Sequence, residues 1–288
     1  MHDRPRRSVL YMPGANARAL EKARTLPADG LILDLEDAVT PEAKPQARAQ
    51  VVAAVRAGGY GRREVVVRVN GLDTPWGHAD LTAAATCGAD AVLLPKVETA
   101  EALRQAERVL AAAGAPESLA LWVMVETPRG VLNVAEVAAG SPRLACLVMG
   151  TSDLAKDLRC AHTPDRLPFL TSFGLVLLAG RANGLAVLDG VHLDLDDAEG
   201  LAAACRQGRE LGFDGKTLIH PNQIEAANRA FAPTPDEVAR ARRLIAAHAE
   251  ATAAGKGITV VDGKLVEALH VEQARRLVAL AEAVGIDA

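Results

Sequence analysis

Short apolar runs of strand length alternate with longer stretches in which apolar residues recur at helical spacing. The short runs are apolar almost throughout, which is typical of strands buried on both faces of a parallel sheet. This pattern occurs eight times before the C-terminal part of the chain. It predicts strands at residues 8–12, 30–35, 65–69, 91–94, 119–125, 144–149, 185–188 and 216–219.

The segments between these runs are predicted to be helices. One follows Asn16, which is a favourable N-cap residue, and one begins at Pro41. Eight strand–helix units without a long hairpin signal predict an α/β fold, a closed TIM-type (β/α)8 barrel. A doubly wound open sheet is the alternative, but it usually carries a Gly-rich phosphate turn after its first strand. The turn here, MPGAN, is not such a motif, so the barrel is favoured. Further helices are predicted at residues 100–113, 129–139, 167–182 and 198–211.

The chain continues after the eighth unit, although a barrel does not need a further segment. We predict a helix at residues 235–254, a connector or hairpin at 255–263 and a last helix at 265–284. The expected organisation is therefore a catalytic barrel at residues 1–231 and a C-terminal helical extension at 232–288. Such an extension either forms a lid, over this barrel or a neighbouring subunit, or lies on the outer wall.

Composition narrows the possible partners. The chain has 288 residues, half of them hydrophobic, and a formal net charge of −4. Without a run of like charge, neither nucleic acid nor a membrane surface is an expected partner. There is no apolar stretch near the roughly 20 residues that span a bilayer, and no apolar N-terminal core of signal-peptide length. The four cysteines show no C-x-x-C pairing, which favours reduced thiols and a cytoplasmic location.

Two carboxylates stand out in residues 124–153. Glu126 follows the fifth predicted strand, and Asp153 follows the sixth after a Gly-Thr-Ser turn. Parallel strands joined by a helix end at the same edge, so both carboxylates are expected at one rim. Two hard oxygen ligands with space for water and substrate suit Mg²⁺. The alternative is that Glu126 caps one helix and Asp153 begins the next.

Other strand ends add ionisable residues to the same rim. In a barrel of this type, polar residues at the C-terminal strand ends converge on one site. Buried charges must pair, bind a metal or meet a substrate, because an unpaired ion costs several kcal/mol. The simpler alternatives are a salt bridge for Lys96 and a turn-stabilising role for His220. The four carboxylates exceed the two fixed cations, an excess that a divalent cation would offset. The set is Glu36, Asp37, Arg68, Lys96, Glu126, Asp153 and His220.

Seven segments closely resemble the HpcH/HpaI aldolase and citrate lyase family, in the same order and spacing over nearly the whole chain. The resemblance implies a TIM-type barrel that is usually a homotrimer or hexamer. It also implies Mg²⁺, with Mn²⁺ as a substitute, and an acyl-CoA thioester as substrate. The segments are RSVLYMPG, LILDLEDAV, VVRVNG, LLPKVE, VMVETPRG, VMGTSDLA and GFDGKTLIHP.

The resemblance also implies roles for individual residues. The metal ligands would be Glu126 and Asp153, and Arg68 would meet the substrate carboxylate and thioester oxygen. Catalytic helpers Glu36 and Asp37 would hold Arg68 or metal-bound water, while the Gly150–Thr151 turn would offer backbone N–H groups to a carboxylate. The residues expected to receive CoA are Pro13, Gly14, Arg18, Lys22 and Lys44.

The C-terminal segment departs from the family pattern. Lyases of the family carry an Asp where this chain has Glu267, and the ending GKLVEALHVEQARR resembles the (3S)-malyl-CoA thioesterase branch. We expect Glu267 to be catalytic, although a surface position on an amphipathic helix is the simpler alternative. Three hypotheses follow. They are a Mg²⁺-dependent malyl-CoA thioesterase, a malyl-, methylmalyl- or citramalyl-CoA lyase, and a citrate-lyase-type subunit acting on an acyl-carrier protein.

Overall fold

The structure is a computed structural model that describes residues 4–286. Within them, eight parallel strands form a closed barrel in chain order, and β8 pairs with β1 to close it. Each strand corresponds to one of the predicted apolar runs, so the predicted barrel is confirmed. The strands are β1 Ser8–Pro13, β2 Gly30–Asp34, β3 Glu64–Arg68, β4 Ala91–Leu94, β5 Ala120–Val125, β6 Leu144–Met149, β7 Ala186–Asp189 and β8 Gly215–Leu218.

Helices connect the strands. The Asn16 side chain caps the first of them by accepting from the Ala19 backbone N–H. The single helix predicted at residues 129–139 is instead two short helices separated at Asn133, whose side-chain amide donates to the Glu98 carbonyl. No helix in residues 4–286 is long and apolar enough to cross a membrane. The helices are α1 Ala17–Ala23, α2 Lys44–Ala57, α3 Gly77–Ala85, α4 Ala100–Ala112, α5 Pro128–Leu132, α6 Val134–Ala138, α7 Thr151–Leu158, α8 Leu170–Ala182, α9 Ala198–Leu211 and α10 Ile224–Phe231.

Alternate residues of each strand fill the barrel interior. They form a cluster that is separate from the larger apolar layer between the strands and the helices. Ile32, Val66 and Trp122 belong to this inner cluster and are fully buried. Because side chains alternate along a strand, the residues two and four positions further along point the same way. The inward series of β1, β2, β3 and β5 therefore end at the C-terminal rim on polar residues, namely Tyr11, Asp34, Arg68 and Glu126.

A buried ion pair closes the opposite end of the barrel interior. Arg6 donates to both carboxylate oxygens of Glu64, at 2.6 and 2.8 Å, and both residues are buried. The guanidinium also lies over the Trp122 ring, 5.2 Å from its centroid. One cation and one carboxylate balance each other here, and we assign this end a structural role.

The chain divides into two compact units. The barrel unit runs from Arg6 to Phe231, and the second unit contains residues 232–286 with Arg4 and Pro5. In the second unit, α11 Pro235–Ala253 packs on α12 Ala268–Val284, and a hairpin of β9 Thr259–Val261 and β10 Lys264–Val266 lies between them in sequence.

The hairpin corrects one boundary. The last helix was predicted from residue 265, but it begins at Ala268, because Leu265 pairs with Val260 in the hairpin. Asp262 and Gly263 turn the chain with positive φ values of 50° and 72°, the backbone that an Asp-Gly hairpin turn requires. The alternative of a hairpin after residue 255 is thus confirmed.

Candidate active site

The centre of the C-terminal rim is Arg68, held by Asp34. The two residues are register partners on β3 and β2. The Arg68 Nε and Nη2 atoms donate to the two Asp34 oxygens at 2.6 and 2.7 Å, and the guanidinium lies 4.9 Å from the Tyr11 ring centroid. Burial acts to lower the pKa of Arg68, but the Asp34 carboxylate outweighs it and raises the pKa, so the residue stays charged.

Asp34 was missed in the sequence analysis. Its carboxylate also accepts from the backbone N–H groups of Glu36 and Ala38, at 2.9 and 3.1 Å. Asp34 therefore fixes both Arg68 and the loop that follows β2. A signal was available, because Asp34 lies two positions after the inward Ile32, whereas Glu36 and Asp37 already lie in the loop.

Glu36 and Asp37 both contact the remaining nitrogen of Arg68. The Nη1 atom lies 2.9 Å from Glu36 Oε2 and 3.2 Å from Asp37 Oδ2, a geometry that agrees with one of the two expected alternatives, contact with Arg68. The Glu36 side chain is 12% exposed and that of Asp37 is 62% exposed. Burial raises the pKa of Glu36, while Arg68 and Lys96 oppose the shift.

Glu126 follows β5 and is buried beneath the rim. Its Oε1 atom accepts from the Lys96 backbone N–H at 2.8 Å. Burial, followed by the charge of Glu36, raises the pKa of Glu126 to about 7. Gly150 lies so close to the Glu126 side chain that a Cβ at this position would collide with it. The sequence thus keeps space for a buried carboxylate.

A cavity of about 380 Å³ opens at this rim. Arg68, Glu126 and Asp153 all line it, so the structure brings together the predicted cation and the two predicted metal ligands. The polar wall also includes Asp34, Asp37, Gly150 and Thr151 and the edge includes Pro13, while the apolar wall includes Tyr11, Met124, Met149, Val191, Leu193 and Ile219.

The donors in this cavity fit a hard divalent cation. Among residues 4–286, no three His, Cys, Asp or Glu side chains cluster as a metal site. The protein therefore offers the two carboxylates of Glu126 and Asp153, and water and substrate oxygens would complete the coordination shell. Mg²⁺ is commonly bound in this way, through one or two carboxylates. The Glu126 carboxylate is buried, and burial followed by the charge of Glu36 raises its pKa, which supports the fit.

Lys96 is a site residue for which we predicted no role beyond a salt bridge. Its ammonium lies 2.7 Å from Glu36 Oε1 and 3.6 Å from Asp153 Oδ2. Its backbone has a φ of 49°, an uncommon conformation for a residue other than glycine. Burial acts to lower the pKa of Lys96, but Glu36, Glu126 and Asp153 outweigh it and raise the pKa, so Lys96 is a cation.

The residues expected to receive CoA have different environments. Arg18 and Lys22 are exposed on α1, and Gly14 donates its backbone N–H to the Asp34 carbonyl at 2.8 Å. Lys44 is buried, and its ammonium donates to the carbonyls of Leu35 and Glu36 and to Asn70 Oδ1, at 2.7–3.0 Å. All three of its donors are used, so Lys44 holds the loop after β2 and is not a free cation for a phosphate.

Two further expectations need correction or assignment. The Gly150 N–H donates to the Val125 carbonyl at 3.1 Å, so it is not available to a substrate carboxylate. The Thr151 N–H begins α7 and has no intrahelical acceptor, so it remains a candidate donor. His220 accepts from the Asn222 backbone N–H at 3.2 Å, which matches the turn-stabilising alternative.

Glu267 lies in the second unit, just before α12. It is half-buried. Its backbone N–H donates to His270 Nδ1 at 3.0 Å and is therefore not available to a substrate. Its carboxylate follows the hairpin directly, so the hairpin and the start of α12 determine where the side chain projects.

Comparison with known proteins gives a consistent result. The profile of the HpcH/HpaI aldolase/citrate lyase family matches residues 7–221. A "(3S)-malyl-CoA thioesterase" of Cereibacter sphaeroides is 53% identical over 98% of this chain and 96% of its own length. The citrate lyase subunit beta of Escherichia coli is 36% identical, over 98% of this chain and 95% of its own.

A solved structure agrees in fold over the same length. Protein CitE from Mycobacterium tuberculosis, in complex with magnesium, acetoacetate and coenzyme A, is 31% identical and superposes with a TM-score of 0.75, covering 98% of each chain. The motifs at the rim, the closed barrel and these matches agree, and the chain belongs to the HpcH/HpaI aldolase/citrate lyase family.

Proposed function

We propose that this protein is a Mg²⁺-dependent enzyme that hydrolyses the thioester of (3S)-malyl-CoA or a close relative. The observation that carries this proposal is the rim cavity, in which Arg68, Glu126 and Asp153 face the same space. The 53% identity to a (3S)-malyl-CoA thioesterase along nearly the whole chain supports the choice of substrate. The magnesium and CoA named for the CitE structure support the same cofactor and substrate class.

In this proposal each rim residue has a distinct task. Glu126 and Asp153 hold the metal, which when bound supplies a Lewis acid for the hydroxyl and carboxylate oxygens of the substrate. Arg68, fixed by Asp34, presents Nη1 as a cation where negative charge develops on the thioester oxygen. Glu36 and Asp37 hold that nitrogen in place, and the N-terminus of α7 at Thr151 receives a carboxylate.

The exposed cations of α1 are proposed to receive the CoA phosphates. Arg18 and Lys22 lie on the helix that follows Pro13, and Pro13 lines the cavity edge. A thioester arm leaving the cavity past Pro13 would reach these side chains. Lys44 is left out of this group, because its ammonium is buried and fully hydrogen-bonded.

Glu267 is proposed as the acid–base group for hydrolysis, carried by a lid that reaches the active site of a neighbouring subunit. A Glu in place of the usual Asp is one methylene longer, and reactive geometry is sensitive to displacements of about 1 Å. The test is Glu267→Ala, which should abolish malyl-CoA hydrolysis while Mg²⁺ and substrate binding stay nearly unchanged. Hydrolysis at the wild-type rate would leave α12 with no catalytic role.

The second candidate function is carbon–carbon cleavage of malyl-, methylmalyl- or citramalyl-CoA. The 36% identity to a citrate lyase beta subunit favours it, because the same rim serves cleavage when a base removes the hydroxyl proton. A subunit that works only on an acyl-carrier protein inside a complex is a third possibility, and activity of the isolated protein on free CoA esters would contradict it.

We also propose a homo-oligomer, a trimer or hexamer, that works in the cytoplasm. The lid over a neighbouring subunit requires at least one further copy. The buried or half-buried thiols of the four cysteines favour a reducing compartment.

One experiment separates the candidates. Purified protein is incubated with (3S)-malyl-CoA and Mg²⁺, and the products are identified by mass spectrometry. Free CoA with malate means hydrolysis, and acetyl-CoA with glyoxylate means cleavage. If the isolated protein forms neither pair of products, both proposals are contradicted.

A further inference from the structure

Lys96 occupies an unusual place among the carboxylates of the rim. Its ammonium lies between Glu36 Oε1, at 2.7 Å, and Asp153 Oδ2, at 3.6 Å. Its own backbone N–H donates to Glu126 Oε1 at 2.8 Å. One residue therefore contacts both carboxylates assigned to the metal and a third carboxylate that is assigned to Arg68.

The backbone at Lys96 is held in a conformation that the residue does not prefer. A φ of 49° places a lysine in the left-handed region, where glycine and asparagine are common and long side chains are not. Such strain persists only where the surrounding structure imposes it, and it is found often at functional sites. With this backbone, the N–H of Lys96 lies 2.8 Å from Glu126 Oε1 and its ammonium 2.7 Å from Glu36 Oε1.

Glu36 is chemically able to be a metal ligand itself. Its carboxylate is mostly buried, and it shares the Lys96 ammonium with Asp153. Its cation contacts are closer than those of Asp153. Arg68 Nη1 lies 2.9 Å from one Glu36 oxygen and the Lys96 ammonium 2.7 Å from the other, whereas the Asp153 oxygens lie 3.6 Å from Lys96 and 4.0 Å from Lys156. Glu36 Oε1 accepts a hydrogen bond from Lys96, and Oε2 makes an ion contact with Arg68 without a hydrogen-bond partner among the described residues.

We propose that Lys96 is a positioning residue that holds Glu36 away from the metal, so that the site keeps two carboxylate ligands and leaves the remaining positions open to substrate. This inference rests on the metal site of the proposed function. Two carboxylates balance the charge of a divalent cation, whereas a third would bind the ion more tightly and take a position that the substrate oxygens need.

The test is a double-mutant cycle. Mn²⁺ binding by the full chain is measured without substrate, from the electron paramagnetic resonance signal of the Mn²⁺ that stays free. The variants are Lys96→Met, Glu36→Gln and their combination, with Lys96→Arg as the matched control that keeps the charge. Lys96→Met should bind Mn²⁺ about tenfold more tightly, since affinity follows the number of charged ligands. Lys96→Arg should bind like the wild type, and the double variant should bind like Glu36→Gln alone.

A second readout counts water on the ion. A carboxylate that enters the coordination shell displaces water, so the water-proton relaxivity of bound Mn²⁺ should fall in Lys96→Met and return in the double variant. Thermal melting of each variant confirms that it is folded before titration.

The outcomes distinguish the inference from its basis. If the wild type does not bind Mn²⁺, the metal site and the inference are both wrong. If the wild type binds and Lys96→Met binds no more tightly, only the inference is wrong. If Lys96→Met tightens binding equally with and without Glu36, Lys96 acts through its charge alone and does not restrain Glu36.

Discussion

The strand β3 carries a buried ion pair at each end, and the two pairs serve different purposes. At its start, Glu64 accepts two hydrogen bonds from Arg6, and that guanidinium lies over Trp122. At its end, Arg68 donates two hydrogen bonds to Asp34 and lies over Tyr11. The geometry is nearly the same, with a bidentate pair and an aromatic ring at both ends.

The difference lies in the charge around each pair. Arg6 and Glu64 form one balanced pair at the closed end of the barrel. Arg68 has three carboxylate partners, and Glu126 and Asp153 lie in the same cavity. A buried pair is therefore no sign of function by itself, whereas a pair with excess charge of one sign beside a cavity indicates a binding site.

The largest expected effect tests whether the excess negative charge is there for a metal. Glu126→Gln or Asp153→Asn should lower turnover roughly a thousandfold or more, equivalent to about 4 kcal/mol, since an amide is a weaker ligand for a hard cation. Steady-state kinetics measures the loss, and circular dichroism verifies the fold. EDTA should inactivate the wild type, and Mg²⁺ or Mn²⁺ should restore it. Full activity in EDTA would mean that the enzyme needs no metal, and the excess negative charge at the rim would then have another cause.

The second test compares the two arginines directly. Arg68→Lys should lower turnover by about a hundredfold, or roughly 3 kcal/mol of transition-state stabilisation, because an ammonium cannot keep two bonds to Asp34 and still present a nitrogen to the substrate. Arg6→Lys is the matched control, and its turnover should not change. An effect of Arg68→Lys on KM alone would mean that Arg68 binds only the ground state.

The third test concerns the closed end. Arg6→Met should lower the free energy of unfolding by about 3 kcal/mol, because it leaves the Glu64 carboxylate buried without its partner. Denaturant unfolding measures the change, while turnover per folded molecule should stay near that of the wild type. A large loss of turnover in the fully folded variant would contradict the separation of the two ends.

The smallest expected effect distinguishes the ring of Tyr11 from its hydroxyl group. The hydroxyl contacts Met124 Sδ at 3.2 Å, and the ring lies against the Arg68 guanidinium. Tyr11→Leu should lower turnover about fivefold, equivalent to roughly 1 kcal/mol for a lost cation–π contact, and Tyr11→Phe should change it less. Kinetics of both variants tests this order. Equal losses would mean that the hydroxyl group is the part that matters.

The barrel could be predicted from the sequence because its strands are separate apolar runs with polar residues at their ends. Chain order and the C-terminal rim then bring Arg68, Glu126 and Asp153 together without any knowledge of the side-chain packing. The role of Asp34 was missed because it lies within the predicted strand, whereas Glu36 and Asp37 follow the strand and were therefore assigned to the rim. Only the register with Arg68 shows that it is the main partner.

The remaining errors concern side-chain direction and local pairing. Lys44 was expected near a phosphate, but its position in sequence says nothing about the three acceptors that bury its ammonium. The strained backbone of Lys96 is imposed by tertiary contacts and has no local signal. In the second unit, the Asp262-Gly263 turn placed Leu265 and Val266 in a strand, although both also fit the apolar pattern of a helix.

The alternation of side chains along β3 also limits where this chain can change in length. Glu64 and Arg68 are four positions apart, about 13 Å at the rise of a strand, and both face the interior. Deleting or inserting one residue between them would turn one of the two charges outward and leave its partner unpaired. Insertions and deletions should therefore be confined to the loops that join strands to helices. In a library of single insertions and deletions, the variants that still fold should include none with a change inside the five residues of β3.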